Sequence, residues 1–386
     1  MLEKALQGNK AYWGWIFTLL VLIGIGFGFY VYQLQHGLGI TGMNRDVSWG
    51  LYIGQLTYMV GIAASAVMLV LPYYLHNHKA FGKLVIFGEF LAVSAVIVCL
   101  LFVVVDLGQP QRLMNVILYP TPNSVLFWDM VVLNGYLFLN IVIGWSVLHA
   151  VKKGTRPASW VKVLIYVSIP WAVSIHTVTA FLYAGLPGRY FWHDSLLAAS
   201  FLSGAFAAGP ALLLLILMVV QKVSDLKIPK EAIQTMTKII TYAWAINLFM
   251  VLLKIFSAFY SQYPSKMAGF QYLFGGAGGE YMQLMPWMWN FVFLGVVSLA
   301  LLVIPSTRNN PITMTIALVM VFVAGWIDKG LSLVIGGFIP NPFKVHTEYW
   351  FTIPEFFITV GVYAVGLLIL TILYKVALGV QREVAT

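Results

Sequence analysis

The chain has 386 residues, 61% of them hydrophobic and 9% charged, with a net charge of +9. Soluble domains carry about 25% charged residues, so this composition and its many apolar runs exclude a soluble globular fold. The strand-period alternation of a membrane barrel is absent, and the single Cys99 excludes a disulfide framework, a Cys-x-x-Cys site and cysteine-ligated iron–sulfur clusters within the chain.

The fold class is therefore an all-α polytopic membrane protein. Ten helical spans are predicted, at 13–35, 51–75, 84–106, 124–148, 163–185, 195–220, 237–260, 284–305, 311–335 and 352–378. Each is near the ~20 residues needed to cross ~30 Å of hydrocarbon. The first follows Lys4 and Lys10 but is long for a signal-peptide core and lacks a small-x-small cleavage site, so it is kept as a span.

Basic residues orient the spans. Fifteen fall on the side of the N-terminus: Lys4, Lys10, Lys79, Lys83, Lys152, Lys153, Arg156, Lys162, Lys222, Lys227, Lys230, Lys238, Arg308, Lys375 and Arg382. Five fall on the other: Arg45, Arg112, Arg189, Lys266 and Lys344. The excess predicts a multi-pass protein of the cytoplasmic membrane with both termini cytoplasmic. It also accounts for the positive charge without a nucleic-acid partner. The outer loops (36–50, 107–123, 186–194, 261–283 and 336–351) are rich in Gly, Pro and aromatics, such as Gly275–Gly279, Pro340–Phe343 and Tyr190-Phe191-Trp192. Singly they read as turns and an interfacial aromatic belt. Together they read as a platform for another subunit.

Small residues gather in the second span (Gly61, Ala63, Ala64, Ser65) and the sixth (Ser203, Gly204, Ala205, Ala207, Ala208, Gly209), where they let backbones approach in lipid. Gly61 and Gly209 lie 148 residues apart, as do Asp106 and Lys254, while His176 and Asp328 lie 152 apart. The offsets fit two four-helix bundles, spans two to five and six to nine, plus one flanking helix at each end. The corresponding divisions are 1–50, 51–194, 195–345 and 346–386.

Depth along the spans places seven ionisable residues in the outer half: Asp106, Asp129, His176, Lys254, Asp328, Lys329 and Glu355. Charge within hydrocarbon costs at least roughly 2.5–3.5 kcal/mol at the bilayer centre. Lys254 paired with Asp106 or Asp328 would be a structural ion pair. A cluster of this kind also suits a polar cavity or a proton path through Asp328, Lys254, Lys329 and, near the cytoplasmic end, Glu89. A lone carboxylate such as Glu89 also has the option of snorkelling. His176 has Ser174, Thr177 and Thr179 beside it, which favours a pocket. A diheme cytochrome needs paired intramembrane histidines, and only His176 is deep in a span, so haem is not expected. No phosphate loop or metal constellation appears. A polar, aromatic-rimmed pocket remains, suited to a quinone or to a transporter substrate.

Several motifs, in order, resemble the NrfD/PsrC family of polysulfide-reductase-type membrane subunits. They are Gly42-Met43-Asn44 with Val47–Ile53, Asp106-Leu107-Gly108-x-Pro110-x-Arg112, Ser124-x-x-x-Trp128-Asp129, Ser174–Phe181, and Pro187-Gly188-Arg189 with Trp192-His193. The likeness runs from about residue 40 to 340 and is greatest to the ten-span branch, in particular the P-subunit type of the sulfite-reduction-associated DsrMKJOP complex. Gln109 departs from the Arg usual in that motif. The resemblance implies bound menaquinone or a related quinol in the outer half of the first bundle, with no haem or cluster in the chain itself. It implies an extracytoplasmic ferredoxin-like multi-cluster iron–sulfur partner, together with other membrane and cytochrome subunits. It implies that His176 hydrogen-bonds a quinone carbonyl and exchanges its proton. Asp106 and Asp129 would relay that proton, Trp49 and Gln55 would line the pocket, and Arg189 would lie near its mouth. Proton or ion translocation and a purely structural anchor are the competing functions.

Overall fold

The computed structural model describes residues 1–76, 78–82, 84–275 and 283–385; Lys83 and the glycines of 276–279 lie outside them. Its ten membrane-length helices are Lys10–His36, Leu51–Leu75, Val85–Asp106, Val125–Lys152, Ser159–Ala184, Leu197–Val223, Lys230–Tyr260, Met285–Val303, Pro311–Ile335 and Ile353–Val384, taken below as spans one to ten. The chain is a multi-pass membrane protein. Local chemistry sets several span ends. The Asn9 side chain accepts the Tyr12 N–H at 2.9 Å to start span one, and Gly37, at φ 72°, ends it. Asn310 accepts the Ile312 N–H at 2.9 Å, with Pro311 in the first turn of span nine.

Two features differ from the sequence expectation. Residues Pro264–Gly275, expected as loop, form a twelve-residue helix. Its Ser265, Lys266 and Gln271 leave it too short and too polar to read as a span, while Pro264 suits a first helical turn. Spans two and nine are not α-helical throughout: Ala64–Ala66 is 3-10 and Leu71–Leu75 π-helical in span two, and Ile327–Ile335 of span nine is a π-helical stretch containing Asp328, Lys329 and Gly330.

Spans two to five pack in sequence, two on three, three on four and four on five. In the second group span six packs on seven, eight on nine, and nine back on six. The two flanking spans, one at each end of the chain, meet in the fold. Span one packs on span ten, and span ten on span three. Gly26 and Gly361 face each other so closely that a Cβ on either would sit 2.6–2.8 Å from the other's Cα. The Ser94 hydroxyl donates to the Gly366 carbonyl at 2.6 Å, and the Tyr374 hydroxyl to the Phe87 carbonyl at 2.7 Å.

Span two is the inner post. Of its apolar 18-residue stretch 82% is buried within the protein, against 11% of the corresponding stretch of span one. It touches spans six and nine through small residues. A Cβ on Gly54 would lie 2.7 Å from the Gly330 carbonyl oxygen and one on Gly61 3.6 Å from Ala205, while spans nine and six meet each other where a Cβ on Gly325 would lie 3.4 Å from the Ala208 Cβ. Close backbone contact of this kind holds helices together where lipid competes equally for apolar side chains.

Candidate functional site

Span five places its polar residues by helical spacing. His176, Thr179 and Tyr183 follow at i, i+3 and i+7, on one face, and all three are buried. The His176 Nδ1–H donates to the Ala172 carbonyl one turn back at 2.7 Å. Nε2 then carries the free lone pair of a neutral ring. It is buried and has no hydrogen-bond partner among the described residues. Most buried polar atoms are satisfied, so this nitrogen is the atom to explain.

The surrounding groups are satisfied in a chain. The Thr179 hydroxyl donates to Asp129 Oδ1 of span four at 2.7 Å. The Thr57 hydroxyl of span two donates to the Ile53 carbonyl at 2.7 Å, which leaves its oxygen to accept from the Tyr183 hydroxyl. Trp49 stands edge-on to Tyr183 with ring centroids 5.6 Å apart and stacks on Trp192 at 5.9 Å. Arg189 secures the loops beyond it. It donates to the Phe338 and Asp46 carbonyls at 2.9 and 3.1 Å, and its guanidinium lies 4.5 Å over the Phe338 ring. Partial burial lowers the Arg189 pKa from its ordinary value. The Asp46 carboxyl is held below its ordinary value, first by the Thr347 hydroxyl that donates to it at 3.0 Å.

The structure thus brings Trp49, Asp129 and His176 around Thr179 and Tyr183. It does not place Gln55 with them. Two residues from Thr57 is about 200° around a helix, and Gln55 faces spans nine and ten, its Oε1 accepting from Trp326 Nε1 at 2.9 Å and the Tyr363 hydroxyl at 2.7 Å. Gln55 Nε2 is another buried atom without a partner among the described residues. Asp106, at the end of span three, has a buried Oδ1 in the same condition and makes no ion pair with His176. Glu355 is wholly engaged elsewhere. It accepts from the Gly42 N–H at 2.7 Å, the Thr352 N–H at 2.8 Å and the Tyr349 hydroxyl at 2.6 Å, which ties the loop before span two to span ten. Gln109 lies outside the core, hydrogen-bonded to Gln111.

Glu89 does not snorkel. It is 2% exposed, and its Oε2 lies 3.3 Å from where a Gly144 Cβ would be, so the glycine makes room for the carboxylate. Asp129, Tyr136, Asn140 and Gly144 recur at near-helical spacing along span four, a buried stripe leading from Asp129 towards Glu89.

In the second bundle the ion pair is not the one expected. Asp328 pairs with its chain neighbour Lys329 at 2.8 Å, and Lys329 Nζ also donates to the Ser200 hydroxyl at 2.7 Å. Asn247 Nδ2 donates to Asp328 Oδ2 at 3.4 Å. Lys254, expected opposite Asp106 or Asp328, has no ion pair or hydrogen bond among the described residues. At the Gly/Pro/aromatic end, a cavity of about 500 Å³ is lined by Tyr190, Phe191, Gln271, Asn341, Lys344 and His346, among others. None of the residues expected to hold a ligand lines it.

A model of the polysulphide reductase NrfD family matches residues 39–340. The chain belongs to the NrfD family. Over 84% of its length it is 26% identical to a putative dimethyl sulfoxide reductase membrane subunit of Halobacterium salinarum, covering 77% of that protein. It is 28% identical to a selenate reductase subunit of Mesobacillus selenatarsenatis over 47% of this chain and 50% of that one. It is 24% identical to the Hdr-like menaquinol oxidoreductase integral membrane subunit of Archaeoglobus fulgidus over 48% and 45%. The NrfD match begins before span two and ends after span nine, leaving spans one and ten outside it.

Sequence reading did not find Tyr183, Thr57, Tyr136 or Asn140 in this NrfD chain. Tyr183 and Tyr136 carried a usable signal, each seven residues beyond a singled-out group, His176 and Asp129 respectively. Thr57 carried none, because a threonine bonded to its own helix is ordinary in a span.

Proposed function

We propose that this chain is the quinone-binding membrane subunit of a respiratory oxidoreductase complex, of the DsrP type and linked to dissimilatory sulfur metabolism. It exchanges electrons between menaquinol and an extracytoplasmic ferredoxin-like iron–sulfur subunit, alongside other membrane and cytochrome subunits. The supporting topology has both termini in the cytoplasm, following the fifteen-to-five distribution of basic residues. His176 then lies in the outer half of the first bundle, and the aromatic loops around the 500 Å³ cavity face the extracytoplasmic partner.

The single observation that carries the reading is the unpartnered Nε2 of His176. A buried imidazole acceptor among packed apolar side chains fits a lipid-soluble ligand that presents a hydroxyl or carbonyl. A bound quinone supplies two-electron, two-proton chemistry. The chain supplies the rest. Nε2 accepts the hydrogen of a quinol hydroxyl, or, once protonated, donates to a quinone carbonyl. The Nδ1–H bond to Ala172 fixes the tautomer that makes this possible. Thr179 lies one helical turn along span five from His176 and holds Asp129 of span four, which serves as the next proton acceptor. Asp106 supplies a second buried carboxylate oxygen at the end of span three, and Trp49 and Arg189 close the extracytoplasmic end.

The test is His176→Ala in the assembled complex. Quinol-linked reduction of the cluster partner should be lost while the complex still assembles and the partner still accepts electrons from a soluble donor. Wild-type quinol rates in that variant would refute the assignment.

Proton translocation is a second reading, favoured by the buried Glu89 and the Asp129–Tyr136–Asn140 stripe pointing at it. In liposomes it requires pH changes beyond those of the scalar quinol chemistry, and turnover without them would dismiss it.

A further inference from the structure

The second bundle contains a chamber of about 40 Å³ that the quinone reading does not use. Among its lining residues are five charged ones, Lys254, Lys266, Lys329, Asp194 and Asp328. Three basic residues thus line it beside two acidic ones among the described residues. Both carboxylates are already engaged. Asp328 holds Lys329 at 2.8 Å and accepts from Asn247 at 3.4 Å, while Asp194 Oδ1 accepts the Leu196 N–H at 2.9 Å. Lys329 spends its donors on Asp328 and Ser200. Two groups are left over, Lys254 and Lys266, neither with a side-chain hydrogen bond or ion pair to any described residue; Lys266 lies outside the spans with its ammonium 6.0 Å over the Tyr263 ring, and Lys254 is the one within a span.

An uncompensated ammonium within a membrane span is costly, and such charges pair with counter-charges. Among the described lining residues the surplus of positive charge favours an anion over a cation as the occupant. Size limits the anion. One water needs about 10–15 Å³ measured this way, so the chamber takes a monatomic ion with a water or two but not a tetrahedral oxyanion with its hydration. The chamber sits against the π-helical stretch of span nine, which contributes Asp328, Lys329 and Ser332 to its lining. Local π-helix inside an α-helix is uncommon and recurs at functional sites. Phe191, Phe270 and Phe274 flank the space and reduce competition from bulk water.

We propose that this chamber is a binding site for a small monovalent inorganic anion of chloride size, held by Lys254 as counter-charge. The site lies in the second bundle, separate from His176, and does not depend on the quinone assignment. It is an alternative to the proton path through Asp328, Lys254, Lys329 and Glu89 that the sequence also allowed. Here Asp328 and Lys329 neutralise each other, and Lys254 is completed by a ligand.

The experiment uses the full chain purified in detergent, with chloride compared against gluconate at equal ionic strength. Ligand that binds only the folded state raises the unfolding midpoint in a saturable way. The expected result is a rise of several degrees that saturates with chloride, is reproduced by bromide and is absent with sulfate. Lys254→Met should lose the chloride dependence, while Lys344→Met, outside the chamber lining, keeps it. Should Lys254→Met fail to fold, bromide located beside Lys254 in the wild-type chain by anomalous scattering supports the site on its own, and its absence there refutes it. Equal midpoints in chloride and gluconate for the wild type, or an undiminished chloride effect in Lys254→Met, would overturn the proposal.

Discussion

Gly54→Ala tests the contact on which the arrangement of the two bundles depends. A Cβ built on Gly54 falls 2.7 Å from the Gly330 carbonyl oxygen, whereas ordinary contact begins at 3.4 Å. Neither partner is a flexible side-chain end, so the two backbones must part by the difference, about 0.7 Å, or the side chain cannot be accommodated. Overpacking of a fixed contact costs about 1–3 kcal/mol, against a helix-propensity gain for Gly→Ala of up to about 1 kcal/mol. The net expectation is destabilisation of about 0–2 kcal/mol. The reciprocal change, Gly330→Ala, places its Cβ 3.2 Å from the Gly54 carbonyl oxygen and should cost less. Gly28→Ala in span one meets nothing within 4 Å and should be neutral or stabilising. Thermal unfolding of the three purified variants in one detergent measures the order. A Gly54→Ala variant as stable as Gly28→Ala would refute the claim that backbone contact between spans two and nine sets the distance between the bundles.

Two further predictions concern the ends of the first bundle. Arg189→Gln removes the charged donor to the Phe338 and Asp46 carbonyls, worth about 1.5–3 kcal/mol for hydrogen bonds of this kind. Hydrogen exchange of 336–351 should accelerate by about tenfold or more, with the spans unaffected; unchanged exchange would show that the aromatic packing alone holds the loops. Glu89→Gln keeps the shape of a buried side chain and removes its ionisable proton. Quinol turnover should persist, and any proton uptake from the side of the basic loops should disappear in liposomes; uptake at the wild-type rate would remove Glu89 from the path.

Much of the fold was legible because the membrane constrains it so strongly. Backbone groups in hydrocarbon must be satisfied within each helix, so apolar length alone located the ten spans, and span two at 51–75 matches the structure at both ends. The helix Pro264–Gly275 escaped because a short polar helix beside the spans carries no such length signal. His176 was legible as a lone deep imidazole. Its unpartnered Nε2 was not, since that depends on Ala172 taking the other nitrogen and on no neighbouring span offering a donor.

What the sequence determined by itself was the membrane class, the spans, the asymmetry of charge and the short list of costly polar residues, because each follows from local composition against a fixed solvent. What only the tertiary structure decided was which of those residues meet. Asp129 reached Thr179 rather than a charge, Asp328 closed on its own neighbour, Gln55 turned to spans nine and ten, and Lys254 was left without a hydrogen bond or ion pair among the described residues. The reason is angular. Each residue along a helix turns about 100°, so the partner of a buried polar group depends on how ten rods are rotated against one another. That rotation is set by contacts such as Gly54 against Gly330, between residues 276 positions apart in the chain.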